Sequence, residues 1–160
     1  MKSSQEVIIA TIMRKKGNSG LQTYINNLSD HINATGGKAS VLTPFDYYRL
    51  PTTILFGFRR LVDYISDELS TWWYEYWHYY VLKLALAKKL RQNEQQGITS
   101  IIYAQCPLSA KAALETRSPG EKVFMVVHFN VSQADEWADK KKIKRNGWLF
   151  NSIRKREREV

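Results

Sequence analysis

Along this 160-residue chain, two spacings of hydrophobic residues alternate. Short apolar runs rich in β-branched residues are typical of buried strands, whereas apolar residues three and four positions apart are typical of helices packed on one face. The apolar runs predict four strands, at residues 6–12, 39–43, 100–104 and 123–127. The helical spacing predicts a helix ending near residue 34, helices at 61–91 and 109–116, the last capped by Ser109, and a mostly polar helical region from residue 133. Residues 44–58, rich in Pro, Tyr, Phe and Thr, are predicted to form a loop.

This order of strands and helices predicts an α/β protein with a Rossmann-like parallel sheet flanked by helices, folded as a single domain over residues 1–160. The first and fourth strands are the most apolar and are therefore expected at the centre of the sheet. Ligands of parallel sheets bind beyond the carboxyl ends of the strands. The loops 17–20, 105–109 and 128–130 are therefore the candidate ligand-binding segments.

A glycine turn connects the first strand to the first helix and consists of Gly17, Asn18, Ser19 and Gly20. Asn18 or Ser19 can cap the helix, and the free N–H groups of its first turn together with the helix dipole favour a phosphate or another anion. The alternative is that the glycines only make a tight turn. Leu21 follows where a P-loop has Lys, and the third glycine of the dinucleotide-binding fingerprint is absent, so the turn is neither of these motifs.

The formal net charge is +9, and most of it lies at the C-terminal end. Residues 138–160 contain nine Lys or Arg and three acidic residues, which gives this segment a net charge of +6. Such a basic segment favours an anionic partner, namely lipid head groups, nucleic acid or polyphosphate, and the alternative is a solvated helix surface. The single cysteine, Cys106, excludes an internal disulfide and fits a reducing, cytoplasmic environment.

A dense aromatic run occupies residues 72–80 and contains seven Trp or Tyr residues. Seven rings wrap too far around a helix to lie on one core-facing stripe, so some must be exposed or covered by a partner. The interfacial zone of a membrane and a sugar-binding or acceptor-lipid groove are two interpretations, and a dimer interface or a thick core is the third. Glu75 and Lys83 interrupt the most apolar region, so no transmembrane helix is predicted.

Six segments follow one another in a recognisable order. They are the glycine turn, the apolar stripe from Leu21 to Ile32, the stretch 37–43 (Gly-Lys-Ala-Ser-Val-Leu-Thr), the strand, loop and Ser/Ala-rich helix of residues 101–110, the strand ending in His128, and the basic helix 154–158. This order resembles the N-terminal half of family-four retaining glycosyltransferases, which have the GT-B architecture. The resemblance covers nearly the whole chain and depends on the order and spacing of motifs that are each short.

The resemblance implies one half of a GT-B fold that takes part in transferring a sugar from a nucleotide-sugar to a glycan or lipid-linked acceptor with retention of configuration. The nucleotide-sugar is then the donor substrate, and no cofactor is expected. By the same resemblance, His128 contacts the donor sugar near the transfer point, and the donor-phosphate side comprises Gly17, Asn18, Ser19 and Gly20. The acceptor side comprises Gln105, Tyr47, Tyr48 and Asn130.

The second half of the GT-B fold, which carries the nucleotide pocket and a paired-glutamate motif, is absent from the sequence. The chain is therefore expected to end before the last strand of its half, to be inactive alone and to need the missing C-terminal domain as a partner. It also departs from the family, in which two adjacent glycines often stand at Ser19-Gly20 and His or Asp at Gln105. The expected location is cytoplasmic, with an anionic membrane surface as a further partner at the inner face.

The alternative function is a non-catalytic, basic Rossmann-like module that binds anionic lipid or nucleic acid. No recognised nucleic-acid-binding motif is present, which counts against nucleic acid. No group of His, Cys, Asp or Glu residues has the spacing of a metal site, so no metal ligand is predicted. His31 and His78 lie in predicted helices and, like Cys106, are assigned structural roles.

Overall fold

A computed structural model describes residues 4–15, 17, 19–128 and 132–160. Within these residues, four strands form one all-parallel sheet in the order β2-β1-β3-β4 and six helices pack around it, which confirms the predicted Rossmann-like α/β class. In chain order the elements are β1 (Ser4–Ala10), α1 (Gly20–Ala34), β2 (Ala39–Leu42), α2 (Arg49–Asp63), α3 (Asp67–Gln95), β3 (Ile98–Ala104), α4 (Pro107–Leu114), β4 (Lys122–Met125), α5 (Gln133–Asp139) and α6 (Trp148–Glu159).

The apolar core lies between the sheet and helices α3 and α4. Successive residues of a strand point to opposite faces, so Ile8 of β1 shares a face with its partner Ile102 of β3. Both side chains are buried in the same cluster as Leu82 of α3. Helix α1 covers the opposite face, where the hydroxyl groups of Tyr24 and Tyr103 are hydrogen-bonded at 3.1 Å.

A buried ion pair fixes α3 on the sheet. Glu6 of β1 is only 1% exposed, and its Oε1 atom lies 2.9 Å from the Lys89 ammonium group of α3. The Ser40 hydroxyl of β2 donates to the same carboxylate at 2.7 Å, and Lys38 Nζ lies 3.4 Å from it. Because an unpaired buried carboxylate is costly, these partners fix the position of α3 relative to β1 and β2.

The fourth strand is at the edge of the described sheet, so the prediction that it lies at the centre is wrong. Among the described residues β4 pairs only with β3. Val123 packs against the core, but Phe124 on the other face is about half exposed. An apolar run shows that a strand is suited to burial, but it does not show which strands pair with it or whether it lies at the edge of the sheet. The first strand does lie centrally, between β2 and β3, as predicted.

The predicted loop 44–58 is wrong over most of its length, because α2 begins at Arg49 within it. Pro51 occupies the first turn of α2, where the N–H that proline lacks would have no partner within the helix. The composition of the segment is typical of a loop, but the four-residue spacing of Leu50, Ile54 and Phe58 is helical. In this segment the spacing of the apolar residues, and not the composition, indicates the observed helix.

The predicted helix 61–91 is also wrong in its extent, because it joins the end of α2 to most of α3. The two helices separate at residues 64–66, where the Ser66 hydroxyl accepts a hydrogen bond from the Leu69 N–H and caps α3. The separation lets α2 fold back against α3.

Helix α4 is capped by Cys106 and not, as predicted, by Ser109. Cys106 Sγ accepts a hydrogen bond from the Ser109 N–H at 3.5 Å, and Ser109 Oγ accepts one from the Cys106 N–H at 3.1 Å. Pro107 follows as the first helical residue, a position that suits a residue without an N–H. This reciprocal cap fixes the short connection that follows β3.

The C-terminal region forms two helices with a small core of their own. Leu149 and Ile153 of α6 are buried against α5, and Arg156 of α6 pairs with the buried carboxylate of Glu75 on α3. Most of the basic residues in the segment 138–160 form ion pairs with described carboxylates, and those without one are Lys141, Lys144 and Arg158. Much of the positive charge of this segment is therefore compensated within the protein.

Candidate functional site

The described loops after β1, β3 and β4 meet at one cavity of about 430 Å³ at the carboxyl edge of the sheet. We call this cavity the central cleft. Thr11 and Ile12 enter it from the loop after β1, Gln105 and Cys106 from the loop after β3, and His128 from the loop after β4. The strand order reverses between β1 and β3, and ligands of open α/β sheets bind at such a reversal. The central cleft therefore occupies the position that this topology favours for a ligand.

Two predicted site residues, Gln105 and His128, contact each other in the central cleft. His128 Nε2 lies 2.9 Å from Gln105 Oε1, so Nε2–H donates to this oxygen, and in the Nε2–H tautomer Nδ1 is the acceptor nitrogen. Gln105 is 3% exposed, and its side-chain nitrogen has no hydrogen-bond partner among the described residues. A buried amide without a partner is costly, so the cleft offers an unsatisfied donor to a ligand that brings an oxygen acceptor.

The surrounding contacts hold this pair in place. The Gln105 N–H donates to the Ala10 carbonyl oxygen at 3.1 Å, and Ser109 Oγ accepts from the same N–H at 3.1 Å. On the other side, Tyr24 of α1 approaches the His128 ring edge-on, with the ring centroids 5.7 Å apart. The pair is therefore supported by β1, α4 and α1 together.

The side chain of Gln22 occupies the glycine turn. Ser19 caps α1: its hydroxyl accepts from the Gln22 N–H at 3.2 Å, and Gln22 Oε1 accepts from the Ser19 N–H at 3.2 Å. The Gln22 side-chain nitrogen also donates to the Arg14 carbonyl oxygen at 2.8 Å. A Cβ atom on Gly17 would lie 2.1 Å from Gln22 Oε1, whereas a Cβ atom on Gly20 would meet nothing within 4 Å. The glycine that permits a close approach is thus Gly17, and the group that approaches it is Gln22.

The donor-phosphate role of this turn stays a prediction. Gly17, Ser19 and Gly20 do not line the central cleft, although Leu21 of the first helical turn does. Asn18 and, in the loop after β4, Asn130 lie outside the described residues.

A second cavity of about 320 Å³ adjoins the central cleft, and Ile12, Met13 and Tyr74 line both. We call it the arginine pocket, because Arg14 from the loop after β1 and Arg59 from α2 both line it. The remaining lining residues are Gln22, Phe45, Phe56 and His78. The sequence does not predict this pocket, since the segment containing Phe56 has the composition of a loop and His78 is assigned a structural role in a predicted helix.

His78 is held between aromatic rings in the arginine pocket. Its ring centroid lies 3.9 Å from that of Phe56 and 3.8 Å from that of Tyr74, and Nδ1–H donates to the Tyr74 carbonyl oxygen at 2.7 Å. The pKa of His78 is lowered to about 4, chiefly by burial, and the positive charges of Arg59 and Arg14 contribute to this lowering. The imidazole is therefore neutral near pH 7, and the pocket has a positive potential.

Tyr47 and Tyr48, predicted for the acceptor side, do not line either cavity. The Tyr47 hydroxyl donates to Gln92 Oε1 at 2.7 Å, and the Lys88 ammonium group lies 4.6 Å from the Tyr47 ring centroid. Tyr48 lines a separate cavity of about 360 Å³ along the C-terminal half of α3. From the same part of the chain, Phe45 reaches the arginine pocket instead.

Neither a reactive cysteine nor a metal site is found among the described residues. Burial raises the pKa of the Cys106 thiol, which therefore stays protonated at neutral pH and serves as a helix cap. Among the described residues, no group of three or more His, Cys, Asp or Glu side chains lies close enough together to hold a metal ion.

Within the described part of the chain, no helix combines the length and the apolar character needed to cross a membrane.

Comparisons with protein-family models, with curated proteins and with solved structures each give no match.

We expect opposite effects on stability from alanine at the two glycines of the turn. Gly17→Ala should lower the free energy of unfolding by about 1 kcal/mol, because the new methyl group displaces Gln22 from the capping box. Gly20→Ala should raise it by about 0.5 kcal/mol, because the site is open and alanine is the better helix former. Urea unfolding of both variants measures the difference, and an equal effect at the two positions would contradict this account of the turn.

Proposed function

We propose that this chain is the acceptor-side, N-terminal half of a retaining glycosyltransferase of GT-B architecture. Joined to a donor-binding half, it would move a sugar from a nucleotide-sugar to a glycan or lipid-linked acceptor. The observation that supports this proposal most is the central cleft, which lies where the strand order reverses and contains the buried, unsatisfied amide of Gln105 beside His128. The resemblance of the motifs along the chain supports it as well.

In this proposal the side chains of the cleft bind and orient sugars. The Gln105 amide donates to a hydroxyl oxygen, and His128 Nδ1 accepts a hydroxyl proton, so the pair recognises one donor and one acceptor on a ligand. Tyr74 and Trp137 add aromatic surface to a cleft that also contains a few polar groups, a combination typical of sites for small organic ligands. The second half of the fold would supply the pocket for the nucleotide.

We further propose that the protein attaches to an anionic membrane surface through α2. The outward side chains of this helix are half to three-quarters exposed, lie three or four positions apart and so share one face; they are Leu50, Ile54, Phe58 and Leu61. Tyr64 and Ile65, in the connection to α3, extend this surface, and Tyr64 is 90% exposed. We call this surface the apolar face of α2. A helix with one such face and basic neighbours is typical of proteins that lie in the membrane interface.

Positive charge borders the apolar face of α2, which favours an anionic bilayer as its partner. Arg49 and Arg60 are exposed on α2 itself. Lys142 lies 2.5 Å from Asp67 at the start of α3, which brings the basic connection between α5 and α6 next to this surface. Lys141 and Lys144 of that connection have no ion-pair partner among the described residues and can contact lipid head groups.

The aromatic run contributes less to this surface than its composition suggests. Trp72, Tyr76 and Tyr80 are exposed on one side of α3. Trp73, in contrast, donates its indole N–H to the Leu55 carbonyl oxygen at 3.0 Å and packs against Phe58. Replacing Trp73 would therefore disturb the packing of α2 on α3 as well as any membrane contact.

The activity proposal is tested by His128→Ala. In a protein that joins this chain to its donor-binding half, turnover should fall more than tenfold, which corresponds to about 1.4 kcal/mol of transition-state stabilisation. His31→Ala, at an exposed position of α1, is the matched control and should leave turnover unchanged.

On the chain itself, NMR titration with UDP-glucose, GDP-mannose and short glycans should shift the amide signals of Gln105 and His128. Wild-type turnover in the His128 variant, or ligand-induced shifts confined to other regions, would contradict the proposal.

The membrane proposal is tested with vesicles of phosphatidylcholine and phosphatidylglycerol. Replacing Leu50, Ile54 and Leu61 together by Gln should weaken vesicle binding at least tenfold, because three exposed apolar side chains lose their contact with lipid. The control replaces Phe124 and Val127 by Gln; both are exposed and apolar, but they lie at the edge of the sheet. This control should bind vesicles like the wild type.

Salt provides an independent readout of the same surface. Binding should weaken as ionic strength rises, since a screening length of about 8 Å at physiological salt already reduces the attraction of Arg60, Lys141 and Lys144 to the bilayer. Equal binding by the α2 variant and the wild type would show that α2 is not the contact.

A further inference from the structure

The arginine pocket contains two guanidinium groups without acidic partners. Among the described residues, neither Arg14 nor Arg59 forms an ion pair, although most cations of the C-terminal segment do. Asp46, which follows Phe45 of the pocket lining, is already bound by Lys15 at 2.5 Å and by the Thr43 hydroxyl at 2.9 Å. Among the described residues, no carboxylate therefore forms a direct ion pair with either guanidinium group, and Asp63 reaches Arg59 only through the Ser70 hydroxyl that donates to it.

Aromatic rings and one hydroxyl hold the two arginines in place. The Arg14 guanidinium carbon lies 5.2 Å from the Phe45 ring centroid, and that of Arg59 lies 4.7 Å from the Tyr74 centroid. Arg59 Nε donates to the Ser70 hydroxyl oxygen at 3.1 Å, which leaves its two terminal nitrogens without a described partner. Stacked guanidinium groups lose little further freedom when they bind, and their terminal N–H groups match the oxygens of a phosphate.

The neutral imidazole of His78 completes the pocket without adding charge. Because Nδ1 is protonated and bound to the Tyr74 carbonyl oxygen, Nε2 is the acceptor nitrogen of the ring. Burial is the main cause of the lowered pKa of this ring, and the positive potential of the same two arginines adds to it. A bound anion would cancel part of that potential, so His78 reports on the occupancy of the pocket.

We propose that the arginine pocket binds a phosphate or diphosphate group through the guanidinium groups of Arg14 and Arg59. Its volume of about 320 Å³ admits a diphosphate with part of an organic substituent, and the rings of Phe45, Phe56 and Tyr74 contact that substituent. The phosphate comes from the head group of a lipid or from a soluble phosphate ester. This inference does not depend on the proposed transferase activity, since Gln105 and His128 do not line the pocket.

The test is an NMR titration of the chain with inorganic pyrophosphate. We expect saturable binding that raises the pKa of His78 above its value of about 4, because the anion offsets the charges of the arginines. Arg59→Gln and Arg14→Gln should each weaken pyrophosphate binding at least tenfold. Arg117→Gln removes the same charge from an exposed position beyond α4, outside the lining of the pocket, and is the matched control that should bind like the wild type.

Two further ligands distinguish the sources of the phosphate. Monomeric short-chain phosphatidic acid that binds at least tenfold more tightly than glycerol 3-phosphate assigns the pocket to a lipid, and equal affinities assign it to a soluble ester. Circular dichroism checks that the glutamine variants stay folded, and Arg59→Lys, which keeps the charge, should retain part of the affinity. The proposal is overturned if pyrophosphate leaves His78 unchanged, or if Arg117→Gln weakens binding as much as Arg59→Gln does.

Discussion

Parallel pairing of β1 with both of its neighbours is the constraint on which the rest of the structure depends. Its register with β2 and with β3 brings the carboxyl ends of all three strands to one edge. The segment that follows β1 therefore lies between the central cleft and the arginine pocket, and Ile12 and Met13 line both. The two cavities lie on either side of the segment that follows β1. A ligand in one cavity would therefore lie next to a ligand in the other.

Helix α3 is the second support that the two cavities share. Tyr74 lines both of them, the neighbouring Glu75 holds α6, and the apolar C-terminal half of the helix forms the core with the sheet. This arrangement explains the aromatic run, because α3 contacts α2 on one side and α4 on another. Trp73 faces α2, and Tyr79 donates its hydroxyl proton to Glu115 just beyond α4. The thick core considered from the sequence is thus part of the explanation.

Local patterns in the sequence predict the strands, α1 and the gathering of the loops that contain Gln105 and His128, since the carboxyl ends of parallel strands lie at one edge of the sheet. The capping box of Ser19 and Gln22 is also a local pattern, although the glycines beside it suggested a ligand instead. The edge position of β4 and the arginine pocket could not be predicted in this way. The position of β4 depends on which strands pair with each other. The arginine pocket combines Arg14 with Arg59 of α2, a helix whose segment has the composition of a loop.

The central claim is that the carboxyl edge of this sheet is a ligand-binding edge with two compartments separated by Tyr74. A crystallographic fragment screen with small phosphates and saccharides tests it most directly, because it requires no knowledge of the natural ligand. The account predicts phosphate groups between Arg14 and Arg59, and saccharides against Gln105 and His128. Fragments that collect at the opposite edge of the sheet, or only along the outer surface of α3, would contradict it.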